Sequence, residues 1–167
     1  MKPVVAIVLG AAVSAFAAAP APDAANHVEG QLVVDGKAVA MQHVYAFAQP
    51  GFFDEKKQDV VVLMCDAPVP PDAIRDPFAR MDLVKAGKLH CVEQTIDEGG
   101  QVINYKVQHS RFGVPEGGGS TYHVFEAKTF DGKTAAGRSR TTAPQKSYDD
   151  VPYTYDITFS AAIEKKK

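Results

Sequence analysis

Few side chains in this chain are soft or nucleophilic enough to do chemistry, and they are scattered. It holds two cysteines, Cys65 and Cys91, and five histidines. His43, Cys65, His90, Cys91, His109 and His123 are ligand types that suit zinc or copper. No pair of them has the short Cys-x-x-Cys or His-x-x-x-His spacing that makes a metal site specific. His90 and Cys91 are adjacent, so on a regular strand they point to opposite faces. His43 and His109 fall on apolar faces, where a hydrogen-bonded structural histidine is the commoner occupant. His43, His90, His109 and His123 are therefore the metal candidates, but the reading is that no metal and no cofactor is bound.

Hydrolytic chemistry has raw material in Ser110, Ser120, Ser147, Asp149-Asp150 and the histidines. No Gly-x-Ser-x-Gly elbow presents a serine. Asp149-Asp150 stands just before Val151-Pro152 and reads as a turn. No catalytic activity is expected on these grounds. Cys65 and Cys91 are read instead as a disulfide, because their number is even and the chain carries export signals. The bridge would close a loop of roughly 25 residues, worth about 3 to 4 kcal/mol on the chain-entropy model.

The elements that must position these groups are strands. Asp59 to Asp66 encloses Val60-Val61-Val62-Leu63-Met64-Cys65, apolar on both faces and rich in β-branching, which predicts a central strand covered on both sides. Val28–Val34 and Lys37–Ala48 flank Asp35-Gly36, a strong hairpin signal because glycine accepts the positive φ of the turn. In the second of these, Met41, His43, Tyr45 and Phe47 share one face and smaller residues the other. That predicts a thick core on the large side and close approach of something on the small side. Asp76-Pro77 starts a helix over 77–86, with Phe78, Met81 and Val84 at a spacing of three and Gly87 as terminator. The helix is expected to cover an open end of the sheets.

Further strands are predicted over 89–96, 101–109, 121–130 and 133–142, with a second Asp-Gly hairpin at Asp131-Gly132. The last, 153–163, alternates Tyr153, Tyr155, Ile157, Phe159, Ala161 and Ile163 against Thr154, Asp156, Thr158 and Ser160. That is period-two amphipathicity, a half-buried antiparallel strand. The class is all-β: an antiparallel sandwich, or a barrel, of about eight strands with one short helix.

Residues 1–19 carry one basic residue, an apolar stretch and an Ala-rich exit, which reads as a secretory signal peptide. Residues 20–27 read as a flexible leader and 28–164 as a single β domain. The whole chain has a formal charge of −2. Such a balance favours neither nucleic acid nor anionic lipid, and no stable membrane insertion is expected once the signal is cut. The location implied is periplasmic or secreted.

The strings Gly30-x-Leu32-x-Val34-Asp35-Gly36-Lys37 and His43-Val44-Tyr45-Ala46, the Val61-Val62-Leu63 run before Asp66-Ala67-Pro68, and the closing Tyr155-Asp156-Ile157-Thr158-Phe159 strand resemble exported bacterial proteins of unassigned function. The resemblance implies no catalytic residues. The function expected is a binding or interaction module whose partner is an unidentified protein or small molecule. A sheet edge or the Phe52-Phe53 loop would be its contact surface, because those rings sit between Pro50-Gly51 and a charged run. A barrel carrying a small apolar ligand is the first alternative, with the aromatic residues lining a cavity, and a copper or zinc protein the second.

Overall fold

The computed structural model of the 167-residue chain describes residues 26–119 and 121–165. The predicted signal peptide, most of the leader and Ser120 lie outside the described residues. Eleven strands and one helix follow in order: β1 (His27–Val34), β2 (Lys37–Ala40), β3 (His43–Pro50), β4 (Gln58–Cys65), α1 (Pro77–Lys85), β5 (Cys91–Ile96), β6 (Val102–Gln108), β7 (Glu116–Gly118), β8 (His123–Phe130), β9 (Thr134–Thr141), β10 (Gln145–Lys146) and β11 (Pro152–Glu164). The protein is all-β with one short helix. Among the described residues no helix is long and apolar enough to cross a membrane.

The alternation read along 153–163 makes β11 the hub. Its apolar face is buried at every second residue from Tyr153 to Ile163. One side of it pairs antiparallel with β1 (Gly30↔Ile157), the other with β9 (Gly137↔Phe159). Beyond Ser160, where β1 begins, Ile163 and Glu164 pair in parallel with Ala46 and Phe47 of β3. This short parallel contact departs from a purely antiparallel sandwich and curls two sheets into one continuous surface. At Gly30 the φ is +128°, and a Cβ there would meet the Asp156 carbonyl oxygen at 2.2 Å, so only glycine fits against β11.

The first hairpin turns at Asp35 and Gly36 with φ of 52° and 73°, the positive pair a type I′ turn requires. The predicted return strand is two strands, however. β2 pairs with β1, whereas β3 pairs with β4 (Tyr45↔Leu63). The chain changes sheet at Met41 and Gln42, whose N–H groups donate to Gly30 and Cys65 at 3.0 and 2.9 Å. Met41 faces the main core with Val44, Ala46 and Ala48, so it does not share the face of Tyr45 expected from an unbroken strand.

Val44, Ala46 and Ala48 face the main core, together with Val60, Val62 and Met64 of β4 and the rings of Tyr153, Tyr155 and Phe159. The large residues of β3 face the other way, and Tyr45 packs on a second cluster of Leu63, Cys65, Val69, Val84, Leu89 and Cys91. The thick core thus lies on the small side of β3, where the opposite sheet approaches. β4 is covered on both faces, as read: every residue from Asp59 to Cys65 is buried.

What covers the outer face is α1, so the helix lies over a sheet face rather than an open end. Asp76 caps it, accepting from the N–H groups of Phe78 and Ala79 at 2.8 and 3.3 Å. Its buried residues are Arg80 and Val84, while Phe78 is 78% exposed. The helix is rotated away from the face read from Phe78, Met81 and Val84 because a charge sets its orientation. The Arg80 guanidinium is fully buried against the Glu93 carboxylate. It also donates to Gln108 Oε1 at 2.9 Å and to the carbonyls of Ala73 and Ile74 at 3.0 and 2.8 Å. Lys106 donates to the other Glu93 oxygen at 2.9 Å.

Removing one member of such a network strands buried polar groups, which costs about 3 to 5 kcal/mol. Arg80→Ala should therefore lower the free energy of unfolding by that amount, read as a lower urea midpoint at unchanged slope. A loss below about 1 kcal/mol would mean that the network does not hold the helix.

Candidate functional site

The cysteines on β4 and β5 stand directly opposite one another and form a disulfide, with Cα atoms 4.2 Å apart. A disulfide fits an extracellular, oxidising compartment. In antiparallel register the residues just past such a pair must also meet, and these are Asp66 and His90. The Asp66 N–H donates to the His90 carbonyl at 3.1 Å. In return the His90 N–H donates to Asp66 Oδ1, and His90 Nδ1 lies on Asp66 Oδ2, both at 2.7 Å. Partial burial pushes the Asp66 carboxyl up, but the hydrogen bonds from His90 outweigh it and hold the group below its ordinary value.

β6 ends beside them in the turn His109–Phe112, closed by the Phe112 N–H donating to the His109 carbonyl at 3.0 Å. This turn carries Ser110, whose Oγ lies 3.3 Å from His90 Nε2. The rings of His90 and His109 lie over each other at 4.3 Å between centroids. His109 Nδ1 accepts the Arg111 N–H at 3.0 Å. Burial, with the neighbouring His90 adding to it, pushes the His109 imidazole down to about 4, so it is neutral at pH 7. Ser110 is a candidate by sequence; Asp66 and His90 are joined to it only by the fold. The signal was present once the disulfide is granted, because Cys65↔Cys91 implies Asp66↔His90.

The other residues read as candidates separate. Ser147 Oγ accepts the Asp149 and Val151 N–H groups at 3.3 and 3.2 Å, and Asp149 accepts from Gly113 at 2.7 Å, so both are turn residues. His43 sits on the outer face of β3, half-buried, opposite Cys65. His123 is inside the main core, its Nδ1 at 2.9 Å from the Tyr155 hydroxyl and its ring stacked on Tyr105 at 3.5 Å. Tyr105 in turn donates to Glu116 Oε1 at 3.1 Å, and Gln94 to the Tyr155 hydroxyl at 2.9 Å. These rings fill space between the sheets. Among the described residues no group of three or more His, Cys, Asp or Glu is placed to hold a metal ion.

Phe52 and Phe53 are 77% and 79% exposed. They nevertheless sit on a tied turn. The Phe52 N–H donates to Asp59 Oδ2 at 2.8 Å, the Gly51 N–H to the Lys57 carbonyl at 3.0 Å, and the rings meet edge to face at 5.1 Å. The turn borders a groove of about 290 Å³ lined by Phe47, Phe52, Val61, Ile103, Arg75 and Lys106 among others. Arg75 lies over the Phe47 ring at 4.4 Å. Compared with family models, curated proteins and solved structures, the chain finds no match.

His123 carries a testable consequence for acid stability. Burial pushes its imidazole down to about 4, whereas the unfolded chain takes up that proton near 6.5. Stability is therefore complete above about pH 6.5 and lost as pH falls towards 4, at up to about 1.4 kcal/mol per pH unit for this histidine. His123→Gln should flatten the fall by that slope in denaturation measured between pH 6.5 and 4. An unchanged slope would show that His123 is protonated in the folded protein.

Proposed function

We propose that this chain is an exported binding module, released by cleavage within residues 1–19 into the periplasm or the medium. Its contact surface on this reading is the Phe52-Phe53 turn and the groove beside it. The observation that carries this is the exposure of both rings on a turn fixed by internal hydrogen bonds. Large exposed apolar surface held in one conformation is costly in water and cheap to bury against a partner.

The groove chemistry selects the partner class. Its floor is apolar at Phe47 and Val61, and its walls carry Arg75 and Lys106. Glu93 is already matched by both Arg80 and Lys106, and Arg75 lies 4.0 Å from the Glu164 carboxylate, so three cations face two carboxylates. The surplus is positive, so the complement is an extended peptide segment with a large apolar side chain next to a carboxylate. A volume of about 290 Å³ takes one such side chain.

Selection from a random peptide display library on the folded, disulfide-bonded protein should enrich apolar-acidic peptides. Phe52→Ser with Phe53→Ser should weaken the best of them at least ~10-fold, and Arg75→Ala should do so chiefly for the acidic ones. Phe52 and Phe53 are exposed, so the double change should leave stability within about 0.5 kcal/mol, whereas Arg75→Ala also removes the contact with the Phe47 ring and should cost about 0.5 to 1 kcal/mol. Equal affinity in the double variant would exclude this surface.

A further inference from the structure

Asp66, His90 and Ser110 form a continuous hydrogen-bonded chain that ends on an exposed hydroxyl, and a binding module has no need of it. We propose that Ser110 is a nucleophile activated by His90, with Asp66 positioning the imidazole, and that the site hydrolyses small esters. The inference goes beyond binding at the Phe52-Phe53 turn and does not depend on it.

The geometry assigns a role to each atom. Asp66 Oδ2 at 2.7 Å accepts the hydrogen bond from His90 Nδ1–H, which fixes that tautomer. In that tautomer Nε2 carries the lone pair and lies 3.3 Å from the Ser110 hydroxyl. Asp66 cannot swing off, because its other oxygen is held by the His90 N–H at 2.7 Å and its backbone by the His90 carbonyl. The disulfide one residue back on each strand fixes the two chains at this spacing. His109 backs the His90 ring as a neutral plane rather than as a competing cation. A nucleophile, a base and an orienting carboxylate in this order are recognised by geometry and role, whatever their order in the chain.

The surroundings restrict the substrate. Ser110 is exposed, and the nearest atom to a Cβ built on Gly87 is Ser110 Oγ at 3.9 Å, so the small residue after α1 leaves the hydroxyl open. The cleft that borders the site at His109, lined also by Met81, Val84, Lys85, Phe112 and Pro115, has a volume of about 20 Å³. That is room for about one water, so the cleft offers no pocket for a long acyl chain. In the first step Ser110 Oγ attacks the ester carbonyl carbon and its proton passes to His90 Nε2. The carbon–alkoxy bond breaks, and the same proton leaves on the alcohol. Water then attacks the acyl-serine, His90 takes its proton and returns it to Oγ, and the carboxylic acid departs. The sum is ester plus water giving acid plus alcohol, with no oxidant or cofactor.

The test uses the full processed protein with its disulfide intact and a small alkyl fluorophosphonate as probe. Peptide mass spectrometry should find one adduct, on Ser110, and p-nitrophenyl acetate should give a burst equal to the protein concentration. Ser110→Ala, an exposed change that keeps the fold, should abolish both. His90→Gln should slow labelling at least ~100-fold, as loss of a general base does. Asp66→Asn should slow labelling and remove the low-field proton resonance of His90 Nδ1–H, a signature that loss of stability alone would not give. Folded wild-type protein that takes no label, labels elsewhere, or labels equally fast as His90→Gln would overturn the proposal and leave the three residues as a strand-end clasp.

Discussion

A guanidinium with no solvent exposure organises this molecule. Arg80 enters the space between α1 and the outer face of β5 and β6, where an unpaired charge would cost several kcal/mol. Its five N–H groups therefore dictate what surrounds it. Glu93 must point outward from β5, Gln108 must end β6, and the carbonyls of Ala73 and Ile74 must turn inward from the loop before the helix. Three separate pieces of chain are fixed to the helix by one side chain. The orientation of α1, the path of 66–76 and the entry into β5 all follow from it.

From this clamp the disulfide inherits its place. Cys65 and Cys91 lie under α1 in the small outer core, with Leu63, Val84 and Leu89 around them. Once Arg80 sets the helix, Gly87 and Lys88 turn the chain back, and only Leu89 separates them from His90. The Gly87 and Lys88 N–H groups close that return on the Val84 and Leu83 carbonyls at 2.9 Å each. The pairing of Asp66 with His90 is thus held from two directions, by the covalent bond at one flank and by the helix terminus at the other.

Much of the β scaffold could be read directly. β11 follows its period-two pattern residue by residue, β4 is buried on both faces, and the Asp35-Gly36 turn has the positive φ values its sequence demands. The disulfide also followed from number and compartment. What escaped was non-local. The break at Met41-Gln42 shifts the alternation by one, since Val39 and Met41 face the main core before it and Val44, Ala46 and Ala48 after it. The helix face was misassigned because an apolar count cannot see that Glu93 and Gln108 wait for Arg80. Ser110 and His90 are twenty residues apart in sequence. Only the β5–β6 register, in which Cys91 faces Gln108, brings them together.

The two candidate surfaces occupy opposite ends of the same sheet. Asp66, His90 and Ser110 follow the ends of β4 and β6 and precede β5, whereas Phe52 and Phe53 join β3 to β4 at the other end. The separation is the length of β4, which has eight residues, or roughly 25 Å at strand rise. No small ester can touch both. A peptide seated on Phe52 would need about seven extended residues to present a bond to Ser110. The covered outer face of the sheet between them, under α1 and Arg75, offers it no open floor. The binding proposed at one end and the chemistry proposed at the other are therefore physically independent, and a loss at one site by substitution should leave the other intact.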